Sequence, residues 1–248
     1  MAVTALPQLR PPFRWDGEHI AADLPGAKAL FTTRRGGVST GPFASLNLGR
    51  LTADDGANVD ENRIRVAAMT NAPRERFLYG RQVHGATVRR ATEPPGPARP
   101  PVEEDGQATA LTGHPALVFT ADCTPLLLAA DGAVAAIHAG WRGVAAGIVE
   151  EGVAALREVG GTGPVTALMG PAARGCCYEV GEEVHAHFAA YDARRGERNL
   201  DLPAVIAAKL DGEVHDIGLC TMCWFGLFFS HRRDGGMTGR QAGVVWRV

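Results

Sequence analysis

The sequence predicts an α/β protein, and two apolar runs followed by an amphipathic segment carry that prediction. Residues 116–120 and 133–137 are short, apolar and bounded by turn formers, as buried strands are. An Asp-Gly pair at 131–132 predicts a turn before the second strand. Residues 144–159 place charged side chains at helical spacing and therefore predict an amphipathic helix.

Three residues beside these elements form a candidate set of metal ligands. His84 lies in a Gln-Val-His-Gly segment, Cys123 follows the first strand, and His138 follows the second. Gly140 and Gly143 predict a tight turn after His138, where sites commonly lie in α/β proteins. Two imidazoles and a thiolate suit Zn²⁺, and three protein ligands leave a fourth position open. Their wide sequence spacing excludes a zinc finger, so the fold must assemble them.

Composition and charge exclude several classes of protein. The chain has 248 residues, of which 46% are hydrophobic, and this is enough for a substantial core in one domain. A net charge of −2 and the lack of a basic run argue against nucleic-acid binding. We expect no membrane span or signal peptide, and a cytoplasmic location. The proline-rich residues 93–101 are expected to form a surface loop.

The other four cysteines receive no functional assignment from the sequence. Five cysteines are an odd number, and a chain of this length needs no disulfide framework. Cys220 and Cys223 have C-x-x-C spacing, but no second pair accompanies them at zinc-ribbon spacing. The adjacent Cys176 and Cys177 cannot easily bridge each other, and one of them is expected to point into the core.

Polar residues elsewhere in the chain offer ways to hold a substrate. Arg34, Arg63 and Arg142 carry forked donors that suit phosphate or carboxylate groups. Asn47 and Gln82 carry amides that can bind a base edge or ribose hydroxyls. These five residues are therefore candidates for substrate binding.

Asp122, the residue before Cys123, is a candidate for the catalytic group. Its carboxylate is expected either to orient a metal ligand or to accept a proton. Asp is also a common turn former, so a purely structural role in capping a turn stays open.

Short motifs occur in a fixed order along nearly the whole chain. They are FTTRRGGVS at 31–39, SLNLG at 45–49, ENR at 61–63, QVHG at 82–85, TADC at 120–123, HAGWRG at 138–143, GP at 170–171, YEVG at 178–181, CT at 220–221, FFSHRRD at 228–234 and TGR at 238–240. Together they resemble the laccase-domain family, also called the multicopper polyphenol oxidase or purine nucleoside phosphorylase family. The resemblance implies a single domain over residues 1–248 of α/β (α+β) class, with α-β-β-α layering and mixed sheets. It also implies that zinc binds His84, Cys123 and His138.

The same resemblance implies several activities. Family members are associated with phosphorolysis of adenosine, inosine, guanosine and methylthioadenosine, and with deamination of adenosine. Bacterial relatives are associated with editing of cytoplasmic peptidoglycan precursors. We therefore expect a zinc-containing purine nucleoside enzyme that binds nucleoside and phosphate.

Two other classes stay open beside the nucleoside enzyme. The first is an amidase, in which Cys123 is the nucleophile and His138 or His84 is its base. The second is a copper oxidase, which is disfavoured as a four-copper enzyme because the chain has only eight histidines. Copper could still occupy the zinc site in vitro, since Cu²⁺ binds such ligands more strongly than Zn²⁺ in general.

Overall fold

The computed structural model describes residues 6–96 and 102–248, and two stacked β-sheets form its centre. The first sheet is antiparallel throughout. Its strands, in spatial order, are β1 (Arg14–Asp16), β2 (His19–Leu24), β3 (Ala27–Phe31), β13 (Gln241–Arg247) and β6 (Ala116–Thr120). The last strand of the chain therefore lies between two strands from its first half.

The second sheet has six strands and is mixed. In spatial order they are β12 (Glu213–Asp216), β9 (Thr162–Met169), β7 (Thr124–Asp131), β8 (Ala133–Ala139), β5 (Gly106–Thr109) and β4 (Val88–Arg90). The pairs at its two edges are parallel, whereas the four central strands are antiparallel to one another. A separate two-stranded ribbon joins β10 (Arg194–Arg195) to β11 (Asn199–Leu200).

The helices are few and mostly short. They are α1 (Gly56–Thr70), α2 (Trp141–Ala145), α3 (Ile148–Glu158), α4 (Glu182–His187) and α5 (Leu202–Ala208), with single 3₁₀ turns at Gly41–Phe43 and Arg74–Arg76. The side chain of Asp55 caps the first turn of α1 by accepting a hydrogen bond from the Ala57 backbone N–H at 2.8 Å. In the part of the chain that the structure describes, no helix combines the length and apolar character needed to cross a membrane.

Three apolar clusters fill the spaces between these layers. The cluster between the sheets includes Phe31, Val118, Leu127, Val134, Leu168 and Val245. Helix α1 covers the outer face of the first sheet, and α3 and α5 cover that of the second. Strand β7 faces apolar neighbours on both sides, because Leu127 points to the other sheet while Leu126 and Leu128 point to the helices. The α-β-β-α layering and the α/β class are therefore confirmed, and the sheet that is mixed is the six-stranded one.

Both predicted strands are present. Residues 116–120 form β6, and residues 133–137 form most of β8. Strand β8 continues to Ala139, so His138 lies inside the strand and not after it. Gly132, at φ 86°, makes the predicted turn, but it joins β8 to β7, a strand that starts directly after Cys123.

The single helix predicted over residues 144–159 is wrong in its bounds. The structure has two helices there, α2 and α3, separated at Gly147, which has a φ of 92°. The predicted turn at Gly143 is also wrong, because Gly143 lies inside α2. A Cβ at Gly143 would lie 2.7 Å from the Gly85 carbonyl oxygen, so this glycine permits close packing of α2 against the segment after His84.

The proline-rich segment is only partly described. Residues 93–96 belong to no helix or strand, as a surface loop requires, and residues 97–101 lie outside the described residues.

Leu127 tests the packing between the sheets. It is fully buried, so we expect Leu127→Ala to lower the free energy of unfolding by about 2–5 kcal/mol through lost burial and a new cavity. Leu51→Ala is the control, since Leu51 is 86% exposed and its replacement should cost less than about 0.5 kcal/mol. Urea denaturation measures both values, and equal effects would contradict this assignment of the core.

Candidate metal and catalytic site

His84, Cys123 and His138 meet in the structure, and we call them the His-Cys-His site. Their ligand atoms all lie within 4.8 Å of one another. The two imidazole rings have centroids 4.8 Å apart and planes inclined by 77°. His138 is buried, whereas His84 is exposed, so the site is open to solvent at His84.

The backbone around the ligands adopts conformations that L-residues rarely use. Cys123 lies on a short connection that leaves β6 in one sheet and enters β7 in the other. Asp122 in that connection has a φ of 94°, and His84 has a φ of 62°. Such conformations cost about 1–3 kcal/mol each and persist where the surroundings hold them, often at functional sites.

Asp105 organises the site, although it is not among the residues that the sequence predicted. Its carboxylate is fully buried and accepts a hydrogen bond from Nδ1 of His138 at 2.8 Å. It also accepts from the backbone N–H groups of Val83, His84 and Gly85 at 3.1, 2.9 and 2.7 Å. This leaves Nε2 of His138 to face the metal position, which is the usual carboxylate–histidine arrangement around zinc. In the sequence, the only feature that marks Asp105 is the glycine that follows it, and Asp-Gly pairs are also common in turns.

Gly140 leaves the space that the ligands occupy. A Cβ at this position would lie 3.0 Å from Sγ of Cys123 and 3.1 Å from Cδ2 of His84. Both distances are shorter than ordinary contacts. Gly140 is therefore needed for the close approach of the backbone to the ligands and not for a special φ, which is −82°.

Cys123 and His138 form a charge pair in the absence of a metal. Burial raises the pKa of the Cys123 thiol, but the charges and hydrogen bonds of His138 and His84 outweigh it and lower the pKa to about 6. Burial lowers the pKa of His138, but Cys123 and Asp105 outweigh it and raise the pKa to about 9. Cys123 is therefore a thiolate at neutral pH, the form that both binds metals and attacks electrophiles.

Asp122 does not orient the metal ligands. Its carboxylate accepts hydrogen bonds from the Thr221 hydroxyl at 2.6 Å and from the Arg232 backbone N–H at 2.7 Å. Its backbone carbonyl accepts from the Ala173 N–H at 2.8 Å. Asp122 thus ties the β6–β7 connection to three other segments, and the orienting role expected of it belongs to Asp105.

The two amide candidates make internal hydrogen bonds. Asn47 is fully buried: its NH₂ donates to Thr52 and Asp54, and its oxygen accepts from the backbone N–H groups of Gly49 and Arg240. No hydrogen bond is left for a substrate, so the expectation for Asn47 is corrected.

Gln82 has a different arrangement. Its amide exchanges two hydrogen bonds with the Phe119 backbone, at 2.7 and 2.8 Å, and so fastens the His84 segment to β6. One amide hydrogen and one lone pair are left over.

The three candidate arginines differ in what they contact. Arg34 donates to the carbonyls of Ala44 and Phe225, and Arg63 donates twice to the carbonyl of Leu48. The Arg142 guanidinium lies 4.3 Å from the centre of the Trp141 ring. Within residues 6–96 and 102–248, its side chain makes neither a hydrogen bond nor an ion pair.

The position of Arg142 also differs from the prediction. It is the second residue of the five-residue helix α2 and does not precede a long helix. The helix N-terminus expected beside it therefore adds nothing to the case for anion binding.

Further polar residues near Cys123 were not selected from the sequence. Burial raises the pKa of Tyr178 to about 12, with a contribution from the Cys123 charge and opposing ones from Arg232 and Arg142. The Arg232 guanidinium lies 5.3 Å from the centre of the Tyr178 ring. Burial lowers the pKa of Arg240, against the opposing charges of Cys123 and Asp122. The sequence spacing of these residues does not point to a function. Each of them lies in one of the motifs that resemble the family.

The remaining cysteines also lie differently from the expectation. Cys176 is exposed and Cys177 half-buried, so the expectation that one of them points into the core is wrong. Both lie beside Cys220 and Cys223, and the four sulfur atoms are within 4.8 Å of one another. The second pair of cysteines that the sequence did not show beside Cys220 and Cys223 is therefore the adjacent pair Cys176 and Cys177.

Comparison with known proteins agrees with the fold and shows the family of the chain. A sequence model of the multi-copper polyphenol oxidoreductase laccase family matches residues 28–248. The match covers most of the chain, including all three residues of the His-Cys-His site. The chain therefore belongs to this family.

Similar proteins include several bacterial purine nucleoside phosphorylases. One from Streptomyces coelicolor is 40% identical over 233 residues, which cover 89% of this chain and 96% of that protein. Another from Shigella flexneri is 35% identical over 237 residues, covering 90% and 95%. The crystal structure of YlmD from Geobacillus stearothermophilus superposes with a TM-score of 0.84 at 33% identity, covering 95% of this chain and 98% of that one.

Asp105 provides a test of the site that does not depend on substrate. We expect Asp105→Asn to weaken Zn²⁺ binding about 10- to 100-fold, because the amide turns an NH₂ group toward donors that now lack an acceptor. Competition with a chromophoric chelator measures the affinity. Glu103→Gln is the control, because Glu103 is an exposed carboxylate two residues away that pairs with Arg81 at 3.1 Å. The same affinity in both variants would contradict the role of Asp105.

Proposed function

We propose that this protein is a purine nucleoside phosphorylase that uses phosphate to cleave adenosine, inosine, guanosine and methylthioadenosine. The observation that carries the proposal is the His-Cys-His site on a chain whose relatives bear that name over nearly their full length. Those names do not mention deamination of adenosine, and no contact at the site favours it. Deamination is therefore an outcome of the assay below and not part of the proposal.

Zinc is the metal that we propose for the His-Cys-His site. Two neutral imidazoles and a thiolate are a donor set of catalytic zinc, Asp105 holds Nδ1 of His138, and Gly140 leaves room for the sulfur. Bound Zn²⁺ would supply a Lewis acid that stabilises developing negative charge. Cu²⁺ binds such donor sets more strongly than Zn²⁺ in general and could occupy the site in vitro, but the two imidazoles and one thiolate gathered here are too few for a multicopper centre.

The substrates need both a cationic group and polar contacts from the chain itself. Phosphate is a dianion, and a fixed guanidinium can hold it near the carbon that it attacks. Arg142 is the best candidate, because its side chain makes no hydrogen bond within the described part of the chain and shares the electrostatic environment of Tyr178. Arg232 adds positive charge near Tyr178, and Arg240 adds positive charge near Cys123 and Asp122. Tyr178 keeps its hydroxyl proton at neutral pH and can therefore donate to a substrate oxygen.

An amidase acting on a cell-wall precursor is the second candidate, and one observation favours it. Asp105, His138 and Cys123 lie in the order of an acid–base–nucleophile triad, with the carboxylate on Nδ1 of His138 and the thiolate beside the ring. In that reaction the Cys123 sulfur attacks the amide carbon and His138 protonates the leaving nitrogen.

We also propose that residues 1–248 act as one domain in the cytoplasm. Strand β13 pairs with both β3 and β6, so the two ends of the chain share one sheet. All five cysteines are free thiols, as is usual in a reducing compartment.

A substrate panel tests the proposed function. The purified protein is incubated with each purine nucleoside, with and without phosphate, and with a muramyl nucleotide that carries Ser or Gly as first amino acid. We expect free base and ribose 1-phosphate, or 5-methylthioribose 1-phosphate from methylthioadenosine, formed only when phosphate is present. Mass spectrometry identifies the products. The absence of any sugar 1-phosphate when phosphate is present, whether or not adenosine is deaminated or the precursor loses its amino acid, would contradict phosphorolysis.

Arg142 tests the phosphate contact. We expect Arg142→Lys to raise the KM for phosphate about tenfold or more, because Lys keeps the charge but loses a paired hydrogen bond of about 1.5–3 kcal/mol. Arg63→Lys is the control: it loses two hydrogen bonds to Leu48 and should lower the free energy of unfolding and leave this KM unchanged. Steady-state kinetics with phosphate as the varied substrate decide between them. An unchanged KM in Arg142→Lys, or an increase in both variants, would contradict a clamp at Arg142.

Alkylation distinguishes zinc chemistry from thiol catalysis at Cys123. A thiolate that binds zinc should resist iodoacetamide until a chelator removes the metal, whereas a nucleophilic cysteine should react with the metal present. We expect protection of Cys123 to follow zinc occupancy, measured by peptide mass spectrometry. Rapid modification of the zinc-loaded protein at Cys123 would support the amidase.

A further inference from the structure

Four cysteines from two distant segments converge outside the His-Cys-His site. Cys176 and Cys177 follow β9, whereas Cys220 and Cys223 follow β12. Sγ of Cys223 lies 3.7 Å from that of Cys176 and 3.2 Å from that of Cys177. All four sulfur atoms lie within 4.8 Å of one another, and we call them the four-cysteine cluster.

Backbone hydrogen bonds bring the two cysteine segments together. The two segments run side by side, because the Thr221 N–H donates to the Ala172 carbonyl at 3.0 Å and the Ala172 N–H donates to the Leu219 carbonyl at 3.2 Å. The Trp224 N–H donates to the Cys220 carbonyl at 3.0 Å, which closes a helical turn. This turn brings Cys220 and Cys223 to the same side of the chain.

An ion pair next to the cluster holds the same two segments. The guanidinium of Arg174 donates two hydrogen bonds to the carboxylate of Asp216, at 2.8 and 2.6 Å. Paired bonds of this kind fix the direction as well as the distance between two groups. The cysteine segments are therefore held in register by this ion pair as well as by the backbone hydrogen bonds.

The donor atoms of the four-cysteine cluster indicate which metal ion it suits. Four thiolates are a complete donor set for a structural zinc ion, and a tetrahedron with Zn–S bonds of about 2.3 Å has S–S edges of about 3.8 Å. The Cys176–Cys223 separation of 3.7 Å matches such an edge, the Cys177–Cys223 separation of 3.2 Å is shorter, and all the separations lie within 4.8 Å. Thiolates do not suit Mg²⁺ or Ca²⁺, which prefer oxygen ligands.

We propose that Cys176, Cys177, Cys220 and Cys223 bind a second, structural zinc ion. This site is closed, because four protein ligands leave no position for water or substrate. Each thiol releases its proton on binding, and no oxidant or reductant is involved.

The second zinc would stabilise one wall of the candidate active site. Tyr178 directly follows Cys177, and Thr221 directly follows Cys220. The Thr221 hydroxyl holds the carboxylate of Asp122, the neighbour of Cys123. A zinc ion in the cluster therefore connects the segments that position Tyr178 and the β6–β7 connection.

Metal analysis of the full-length protein tests this proposal. The protein and its variants are purified under reducing conditions without chelators, and zinc is measured by inductively coupled plasma mass spectrometry. We expect about two zinc ions per chain in the unmodified protein, and about one in both Cys123→Ser and the double variant Cys220→Ser/Cys223→Ser. Met222→Leu, a change between the two cysteines, is the control and should keep both ions.

The outcomes separate the two zinc sites. Zinc that stays in Cys123→Ser and disappears from the double variant supports the four-cysteine site and removes zinc from the His-Cys-His site. One zinc in the unmodified protein that disappears with Cys123→Ser overturns the four-cysteine site and leaves the proposed function standing.

A second measurement on the unmodified chain covers the case in which the double variant does not fold. Chelator-stripped protein is alkylated with and without added Zn²⁺, and each cysteine is followed by peptide mass spectrometry. We expect zinc to protect all four cysteines of the cluster together. Equal alkylation with and without zinc, or disulfides among the four after anaerobic purification, overturns the proposal.

Discussion

A buried carboxylate needs hydrogen-bond donors on every side, and Asp105 obtains them from two separate parts of the chain. Three backbone N–H groups from residues 83–85 and Nδ1 of His138 surround it. Burying a carboxylate without such partners is very costly, so the arrangement is held as a unit. The antiparallel register of β5 and β8, which pairs Gly106 with Ile137, brings Asp105 opposite His138. The same register therefore positions both histidines.

The third ligand depends on a different constraint, the passage of the chain between the sheets. Strand β6 ends at Thr120 in one sheet, and β7 begins at Thr124 in the other. The chain makes this change in three residues, and Asp122 takes an unfavourable φ to do so. The hydrogen bonds from Thr221 and Arg232 to its carboxylate stabilise that conformation. Cys123 thus owes its position to segments near the C-terminus.

The two ligand sets of this protein differ in a way that matches the roles proposed for them. The His-Cys-His site has three ligands, one of them exposed, and so leaves a position for substrate. The four-cysteine cluster offers four ligands and no open position. Thr221 connects the two, since it follows Cys220 and donates to Asp122. Loss of order in the cluster would therefore reach the site through this hydrogen bond and through the one that the Ala173 N–H donates to the Asp122 carbonyl.

The sequence by itself predicted two of the buried strands and the residues of the His-Cys-His site, because both leave local signals. Residues 116–120 are apolar between turn formers, and each ligand lies in a distinctive motif. Other features depend on contacts between distant residues. Asp105 became visible only through strand register, and Asn47 proved to be structural only once its four partners were known. The cysteine pairs lie more than forty residues apart in sequence, a spacing unlike that of a zinc ribbon. Tertiary structure decided these cases, since hydrogen bonds and metal sites depend on distances in space that spacing along the chain does not encode.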